Sequence, residues 1–179
     1  VGVECDTNGL TGQEILSKVQ KAGIVGMGGA GFPTHVKLTV KTPEKIDYVI
    51  ANGAECEPYI TCDDQLMRTK AAEIVEGMEY MLRLFPNAKG VVVVENNKPE
   101  AIAAMEQACQ GHDRVYVQPV KTKYPQGGEK MQVKAVTGRE VKPGGIPSGV
   151  GCNVVSTRTA YAIYQACYEG KPVIERIVT

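Results

Sequence analysis

A glycine-rich loop is the stretch of this chain most suited to chemistry. Residues 26–31 read GMGGAG. Because glycine has no Cβ, successive backbone N–H groups can turn towards one ligand and the backbone can approach it closely. Phe32-Pro33-Thr34 follows and predicts the start of a short helix, since proline is common in the first helical turn. A loop that leads into a helix N-terminus predicts an anion site, usually for phosphate. The alternative is a glycine-rich surface turn.

The same loop matches the dinucleotide-binding pattern G-x-G-x-x-G, but the residues before it do not fit that motif. The motif requires a strand directly before the loop. Residues 11–23 instead predict a helix: Thr11 and Glu14 form a capping box, apolar residues recur at helical spacing, and Gly23 suits the C-terminal cap. A plain NAD-binding Rossmann domain is therefore the weaker enzyme hypothesis.

Four further side chains could contact a ligand. Glu55 and Glu57 stand in one polar turn and would repel each other unless ligand hydroxyls or amides lie between them. A glycosidase-like pair lacks the accompanying sugar-binding aromatics. Lys37 could pair with a phosphate, and Tyr124 could stack on a ring. The alternatives are surface carboxylates, a solvated lysine and a solvent-facing loop tyrosine.

Composition excludes several classes of protein. The chain has 179 residues, which favours one domain with a sizeable core. Lys and Arg number 20 and Asp and Glu also 20, so the formal net charge is zero, which argues against a general nucleic-acid or anionic-membrane binder. No apolar run reaches the length of a membrane span, so direct membrane insertion is not expected. None of the six cysteines lies in a C-x-x-C and the two histidines are far apart, so no metal site is predicted and reduced thiols are expected.

Apolar patterns predict strands that alternate with helices. Strands are predicted at 47–52, 88–95, 114–118 and 152–155, with either a last strand or a linker at 173–178. The main predicted helices are a long one capped by Thr61, with a Met-rich buried stripe from Met67 to Phe85, and three more at 99–109, 129–136 and 157–169. This order predicts an α/β fold with a mainly parallel sheet and helices on both faces. Ligands of such sheets bind beyond the carboxyl ends of the strands, where polar segments here predict one large cleft for a nucleotide or flavin.

Three ordered motifs give the chain a specific resemblance. They are residues 22–34 (AGIVGMGGAGFPT) with Lys37, residues 52–58 (NGAECEP) and residues 121–130 (KTKYPQGGEK). With PGGIP at 143–147 and GKP at 170–172, they cover nearly the whole chain. They closely resemble the RnfC subunit family of the Rnf ion-translocating electron transport complex. More distantly, they are similar to the FMN-bearing, NADH-oxidising subunit of respiratory complex I, which implies a Rossmann-like fold of that subunit's type.

The resemblance implies an FMN site with NADH stacked on the flavin, and hydride transfer from NADH to the flavin. No residue is expected to be catalytic, because the flavin carries the chemistry. The residues implied to hold FMN are Gly26, Gly28, Gly29, Gly31, Lys37, Asn52, Glu55 and Ser156. Those implied to meet NADH are Phe32, Glu57, Tyr124, Gly127 and Glu129.

Two positions depart from the complex I relatives. Gly128 stands where they carry an acidic residue, and residues 155–158 (VSTR) replace an Asn pair after the last strand. The family's 4Fe-4S cluster ligands and β-rich domain are missing from these 179 residues. We therefore interpret residues 1–179 as a single FMN/NADH-binding domain from a longer chain that would carry the clusters.

The family context predicts an NADH-oxidising electron transfer protein with NADH and other Rnf subunits, or a related reductase, as partners. It predicts a cytoplasmic location, peripheral on the inner face of the cell membrane through the complex. The alternative is an RnfC-like docking or electron-transfer module that holds no flavin in isolation. Such a module would serve a soluble reductase, such as the one associated with proline reduction in clostridia.

Overall fold

The computed structural model describes residues 9–27 and 30–175. Helices and strands alternate over this part of the chain, as the apolar pattern predicts. The elements are α1 (Gly12–Lys21), α2 (Thr34–Leu38), β1 (Tyr48–Gly53), α3 (Cys62–Thr69), α4 (Ala71–Leu82), β2 (Lys89–Glu95), α5 (Pro99–Ala108), β3 (Val115–Val120), α6 (Glu129–Thr137), β4 (Cys152–Ser156) and α7 (Thr157–Cys167), with 3₁₀ helices at Pro43–Lys45 and Pro147–Val150.

The four strands form one parallel sheet in the order β3-β2-β1-β4. In its register Ile50 of β1 lies opposite Val91 of β2 and Val154 of β4. The run from Val91 to Val94 is fully buried because helices cover both faces of the sheet. The predicted α/β fold is therefore confirmed.

Alternate residues of each strand enter two separate cores. The larger core lies under α1, α4 and α7 and includes the Met-rich stripe, with Met67, Met78 and Phe85 fully buried. The smaller core lies under α6 and contains Ile50, Val91, Val93, Val120, Val133, Cys152 and Val154. Where a strand runs on past its apolar residues, every second residue still points to the α6 side of the sheet. At the carboxyl end of the sheet such residues therefore face α6.

The prediction of one long helix after Thr61 is wrong. Two helices, α3 and α4, meet at Lys70, whose φ of −133° and ψ of 31° are not helical. The break lets the two segments pack differently, because the main helical neighbour of α3 is α5 whereas that of α4 is α7. Local periodicity could not show this change of direction, since it follows from the packing partners.

Helix α7 approaches α4 closely at Gly77. A Cβ at this position would lie 1.9 Å from the carbonyl oxygen of Ala160. The absence of a side chain therefore sets the distance between the two helices. Because α7 starts directly after β4, this contact also fixes the chain at the carboxyl end of that strand.

The two ends of the described chain complete the fold. Thr11 and Glu14 form the predicted capping box of α1. At the other end, residues 173–175 form no strand, and Val173 donates a backbone hydrogen bond to Ala22 at 2.9 Å. Residues 176–179, the rest of the predicted last strand or linker, lie outside the described residues. None of the helices in the described ranges combines the length and apolar character that a membrane span needs.

Candidate functional site

The glycine loop is closed at its base by backbone hydrogen bonds. Gly23, with φ of +70°, ends α1, and the N–H of Ile24 donates to Val19 O at 3.3 Å, as in a Schellman cap. Beyond it, Gly26 N–H donates to Phe32 O at 2.7 Å. Gly31 has φ of +62°, a conformation that favours glycine. Gly28 and Gly29 lie outside the described residues, so their assignment to FMN stays a prediction.

Lys37 joins the segment after the glycine loop to the start of α6. Its Nζ forms an ion pair with Glu129, the first residue of α6, and both side chains remain partly exposed. Its carbonyl oxygen accepts a hydrogen bond from Asn153 Nδ2 of β4 at 2.8 Å. The structure thus brings together a residue predicted for the FMN phosphate and one predicted for NADH.

Asn52 connects the end of β1 to the loop before α6. Its Nδ2 donates to Gly127 O at 2.7 Å, and its Oδ1 accepts from Ala54 N–H at 3.1 Å. A Cβ on Gly127 would lie 3.1 Å from Cys56 Sγ and 3.3 Å from Ala54 O. Glycine is therefore the residue that lets the KTKYPQGGEK segment lie directly against the NGAECEP turn.

Glu55 caps α3, which Thr61 does not. Its Oε1 accepts from Asp63 N–H at 2.7 Å, and its Oε2 accepts from Asp64 N–H at 3.2 Å and from Lys98 Nζ at 3.1 Å. The carboxylate is almost fully buried and lies at the positive end of the helix dipole, which stabilises it. Thr61 is the N-cap residue, as predicted, but its side chain makes no capping hydrogen bond, because the Glu55 carboxylate from the preceding turn takes that place.

Asp63, in the first turn of α3, is a titratable group that the sequence pattern does not single out. Its pKa is raised to about 6, first by burial and then by the negative charge of Glu55, whereas Thr157 and Arg158 oppose the shift. No local pattern indicates this, since α3 is buried by distant elements of the chain and Thr157 and Arg158 of α7 lie near the carboxyl.

Ser156 caps α7. Its Oγ accepts from the N–H of Thr159 at 3.0 Å, next to the Thr159 hydroxyl. The assignment of Ser156 to FMN stays a prediction. In the structure its hydroxyl satisfies the helix N-terminus.

A cleft of about 370 Å³ opens at the carboxyl end of the sheet. It lies between the turn after β1, the end of β2 and the loop after β3, so it brings together the predicted residues Glu55, Glu57 and Tyr124. Tyr124 is largely exposed beside it. The other predicted site residues in the described part of the chain do not line it; these are Gly26, Gly31, Phe32, Lys37, Asn52, Gly127, Glu129 and Ser156. The lining residues are 55–61, Glu95, Asn97, Lys98 and 122–124.

Glu95 is a cleft residue that the sequence reasoning missed. It is the last residue of β2 and only 1% exposed. Neither carboxylate oxygen has a hydrogen-bond partner among residues 9–27 and 30–175. Its position at the end of a valine run places it at a strand end, but that position alone does not separate a buried carboxylate from an exposed one.

The segment from α1 to α7 that builds this site also matches a known protein family. Residues 19–165 fit the family model described as the Nuo51 FMN-binding domain. The chain belongs to this family.

The curated relatives of this Nuo51-type chain come from oxidoreductase complexes. It is 45% identical over 170 residues to the C subunit of the proton-translocating ferredoxin:NAD(+) oxidoreductase complex of Clostridium ljungdahlii, covering 95% of this chain and 37% of that one. It is 42% identical to the C subunit of the ion-translocating oxidoreductase complex of Edwardsiella ictaluri, covering 97% and 22% respectively. The predicted RnfC resemblance is confirmed, and the chain spans less than two-fifths of either relative.

A solved structure supports the fold assignment of the Nuo51-type chain. An NAD+-reducing NiFe-hydrogenase in its H2-reduced state superposes with a TM-score of 0.71 at 24% identity, over 87% of this chain and 31% of that one. At this identity the likeness concerns the fold alone.

Proposed function

We propose that this protein binds FMN and accepts hydride from NADH as an electron transfer component of an ion-translocating redox complex. The observation that carries the proposal is the meeting of the NGAECEP and KTKYPQGGEK segments at one cleft, joined by the 2.7 Å hydrogen bond from Asn52 to Gly127. The family match and the names of the relatives support the same assignment.

The residues present fit FMN. The glycine loop offers a base closed by backbone hydrogen bonds and a left-handed Gly31, which suits close approach of a phosphate-bearing chain. Lys37 is the cation next to it, and its pair with Glu129 is partly exposed and can be exchanged for a phosphate. The exposed ring of Tyr124 at the cleft suits stacking on a flat aromatic ligand.

The protein's own part is binding and positioning. When bound, FMN supplies the two-electron chemistry of hydride acceptance. Lys37 would neutralise the phosphate, Asn52 would hold the Gly127 loop in place, and Phe32 and Tyr124 would stack on rings. Glu57 would bind NADH hydroxyls or amides at the mouth of the cleft.

The wider assignment follows from the relatives. Electrons would leave singly through 4Fe-4S clusters carried outside these 179 residues and pass to other subunits of the complex. The protein would then be cytoplasmic and peripheral on the inner face of the cell membrane. The names of the relatives, which are much longer than this chain, support a multi-subunit redox complex, whereas the clusters and the location are carried over from the RnfC resemblance.

One observation favours a second candidate, a docking module that holds no flavin alone. Glu55 and Ser156, two predicted FMN contacts, already use their oxygens to cap α3 and α7. An FMN titration followed by flavin fluorescence and calorimetry separates the two functions. We expect saturable binding at one FMN per chain. Absence of binding at high flavin concentration would contradict the FMN proposal and favour the docking module.

A further inference from the structure

Glu95 is a buried carboxylate whose charge is unpaired in the described structure. It is 1% exposed, and neither oxygen has a hydrogen-bond partner within residues 9–27 and 30–175. Burial of a charged group without partners costs several kcal/mol in general. A protein keeps such a group where something other than the fold uses it.

The cation next to Glu95 along the chain is already engaged. Lys98 lies three residues further on and lines the same cleft. Its Nζ pairs at 3.1 Å with Glu55, whose side chain is 2% exposed. Glu55 also accepts two backbone N–H groups, so that carboxylate is satisfied whereas Glu95 is not.

The side of the sheet that Glu95 faces has unused acceptors. Val91 and Val93 belong to the core under α6, so Glu95, two residues further along β2, points to the same side. On that side Gln126 and Gln132 are buried, and each has a side-chain oxygen without a described partner. The Nε2 of Gln132 is already bonded to Gln126 O at 2.7 Å. Of these groups Glu95 is the one that lines the cleft, and as a carboxylate it is an acceptor, which calls for a ligand that brings an N–H donor.

We propose that Glu95 is a recognition residue that accepts a hydrogen bond from the imide or amide N–H of a ring ligand in the cleft. This inference rests on the proposed function, which offers two sources of that chemistry: the imide N–H of FMN and the carboxamide of the nicotinamide. A ligand without this N–H would leave a buried charge unpaired, so Glu95 would act as a specificity-determining residue.

The first test compares FMN with 3-methyl-FMN, which lacks the imide N–H. We expect E95L to weaken FMN binding by about 10- to 100-fold, the range of a hydrogen bond to a charged group, and E95Q to weaken it less. Binding of 3-methyl-FMN should be the same in wild type and E95L. The exposed E76L serves as the matched control and should bind FMN as wild type does.

The ligand-free stability gives an independent readout. If the Glu95 charge serves a ligand, E95L and E95Q should melt at the wild-type temperature or higher, because each removes an unpaired buried charge. A purely structural role predicts the opposite sign. Lower melting temperatures for both variants, with unchanged affinities, would overturn the proposal.

A second arm distinguishes the two ligand sources. NAD+ and its acetylpyridine analogue, which lacks the carboxamide N–H, are titrated into FMN-loaded protein and followed by the flavin spectrum. If E95L weakens the binding of NAD+ but not of the analogue, the contact is with the nicotinamide. If E95L weakens the binding of FMN but not of 3-methyl-FMN, the contact is with the flavin. Wild type that binds neither FMN nor NAD+ would contradict the proposed function itself. Wild type that binds both, with all affinities unchanged in E95L, would overturn only the role of Glu95.

Discussion

Glu55 caps the helix that carries Asp63 and also raises the pKa of the Asp63 carboxyl. The hydrogen bond from Asp63 N–H to Glu55 Oε1 is 2.7 Å long, and the charge of Glu55 adds to burial in raising that pKa to about 6. The Glu55 carboxylate therefore stabilises α3 by accepting hydrogen bonds from the backbone N–H groups of the helix. The same negative charge destabilises the charged form of the Asp63 side chain.

Asp63 should lower stability near neutral pH. Its pKa is higher in the folded protein than the ordinary 3.8, so the folded state binds the proton more tightly. The cost is full above pH 6 and is relieved as the pH falls from 6 towards 3.8. We expect D63N to raise the free energy of unfolding at about pH 7.5 by at most about 3 kcal/mol, with the gain vanishing near pH 4. Urea titrations across this range measure it, with the exposed D113N as control. An equal D63N effect at both ends of the range would contradict the account.

The contribution of Glu55 to that pKa can be isolated in a double-mutant cycle. In an E55Q background the pKa of Asp63 should fall towards its ordinary value, because one of its two causes is removed while burial remains. D63N should then stabilise the protein less than in wild type at neutral pH. An undiminished D63N gain in the E55Q background would show that Glu55 does not act on Asp63.

Lys37 should distinguish FMN from riboflavin. If its Nζ exchanges Glu129 for the phosphate, K37M should weaken FMN binding by about 10- to 100-fold, as for a lost charge-assisted hydrogen bond, and leave riboflavin binding unchanged. Glu129 is half exposed, so its loss of a partner should cost little. Fluorescence titrations with both flavins measure this, with the exposed K41M as control. Equal losses for the two flavins would argue against a phosphate contact.

Gly77 should tolerate no side chain. Alanine favours a helix over glycine by about 1 kcal/mol, but overpacking costs about 1–3 kcal/mol and occasionally more, and a clash with a backbone atom belongs at the upper end. The added Cβ would lie 1.9 Å from Ala160 O, so we expect the second effect to win and G77A to lose about 2 kcal/mol or more. Nothing lies within 4 Å of a Cβ at Gly149, so G149A is the matched control. Thermal unfolding compares the two, and a G77A protein as stable as G149A would refute the close contact.

Elements held by local interactions were predictable from the sequence. The α1 capping box lies within four residues, and the valine run of β2 and the Met-rich stripe carry their own periodicity. The alternation of strands and helices then placed the polar segments at one edge of a parallel sheet. That prediction is confirmed for the two segments after β1 and β3, which share a cleft.

Features set by distant partners were not predictable. The contacts Lys37–Glu129 and Asn52–Gly127 join residues 92 and 75 positions apart, and only the folded sheet edge brings them together. The break at Lys70 and the burial of Glu95 likewise depend on which element packs against which. From the sequence alone, a charged residue at the end of an apolar run predicts a strand that ends at the surface. Only the residues that pack against it in the fold show that it is buried.

Hydride acceptance is measured by anaerobic addition of NADH to FMN-loaded protein. We expect loss of the oxidised flavin absorbance in proportion to added NADH, with FMN remaining bound to the protein. Dithionite added to a parallel sample shows that the bound flavin can be reduced. Flavin that dithionite bleaches but excess NADH leaves oxidised would contradict the proposal that this protein accepts hydride from NADH.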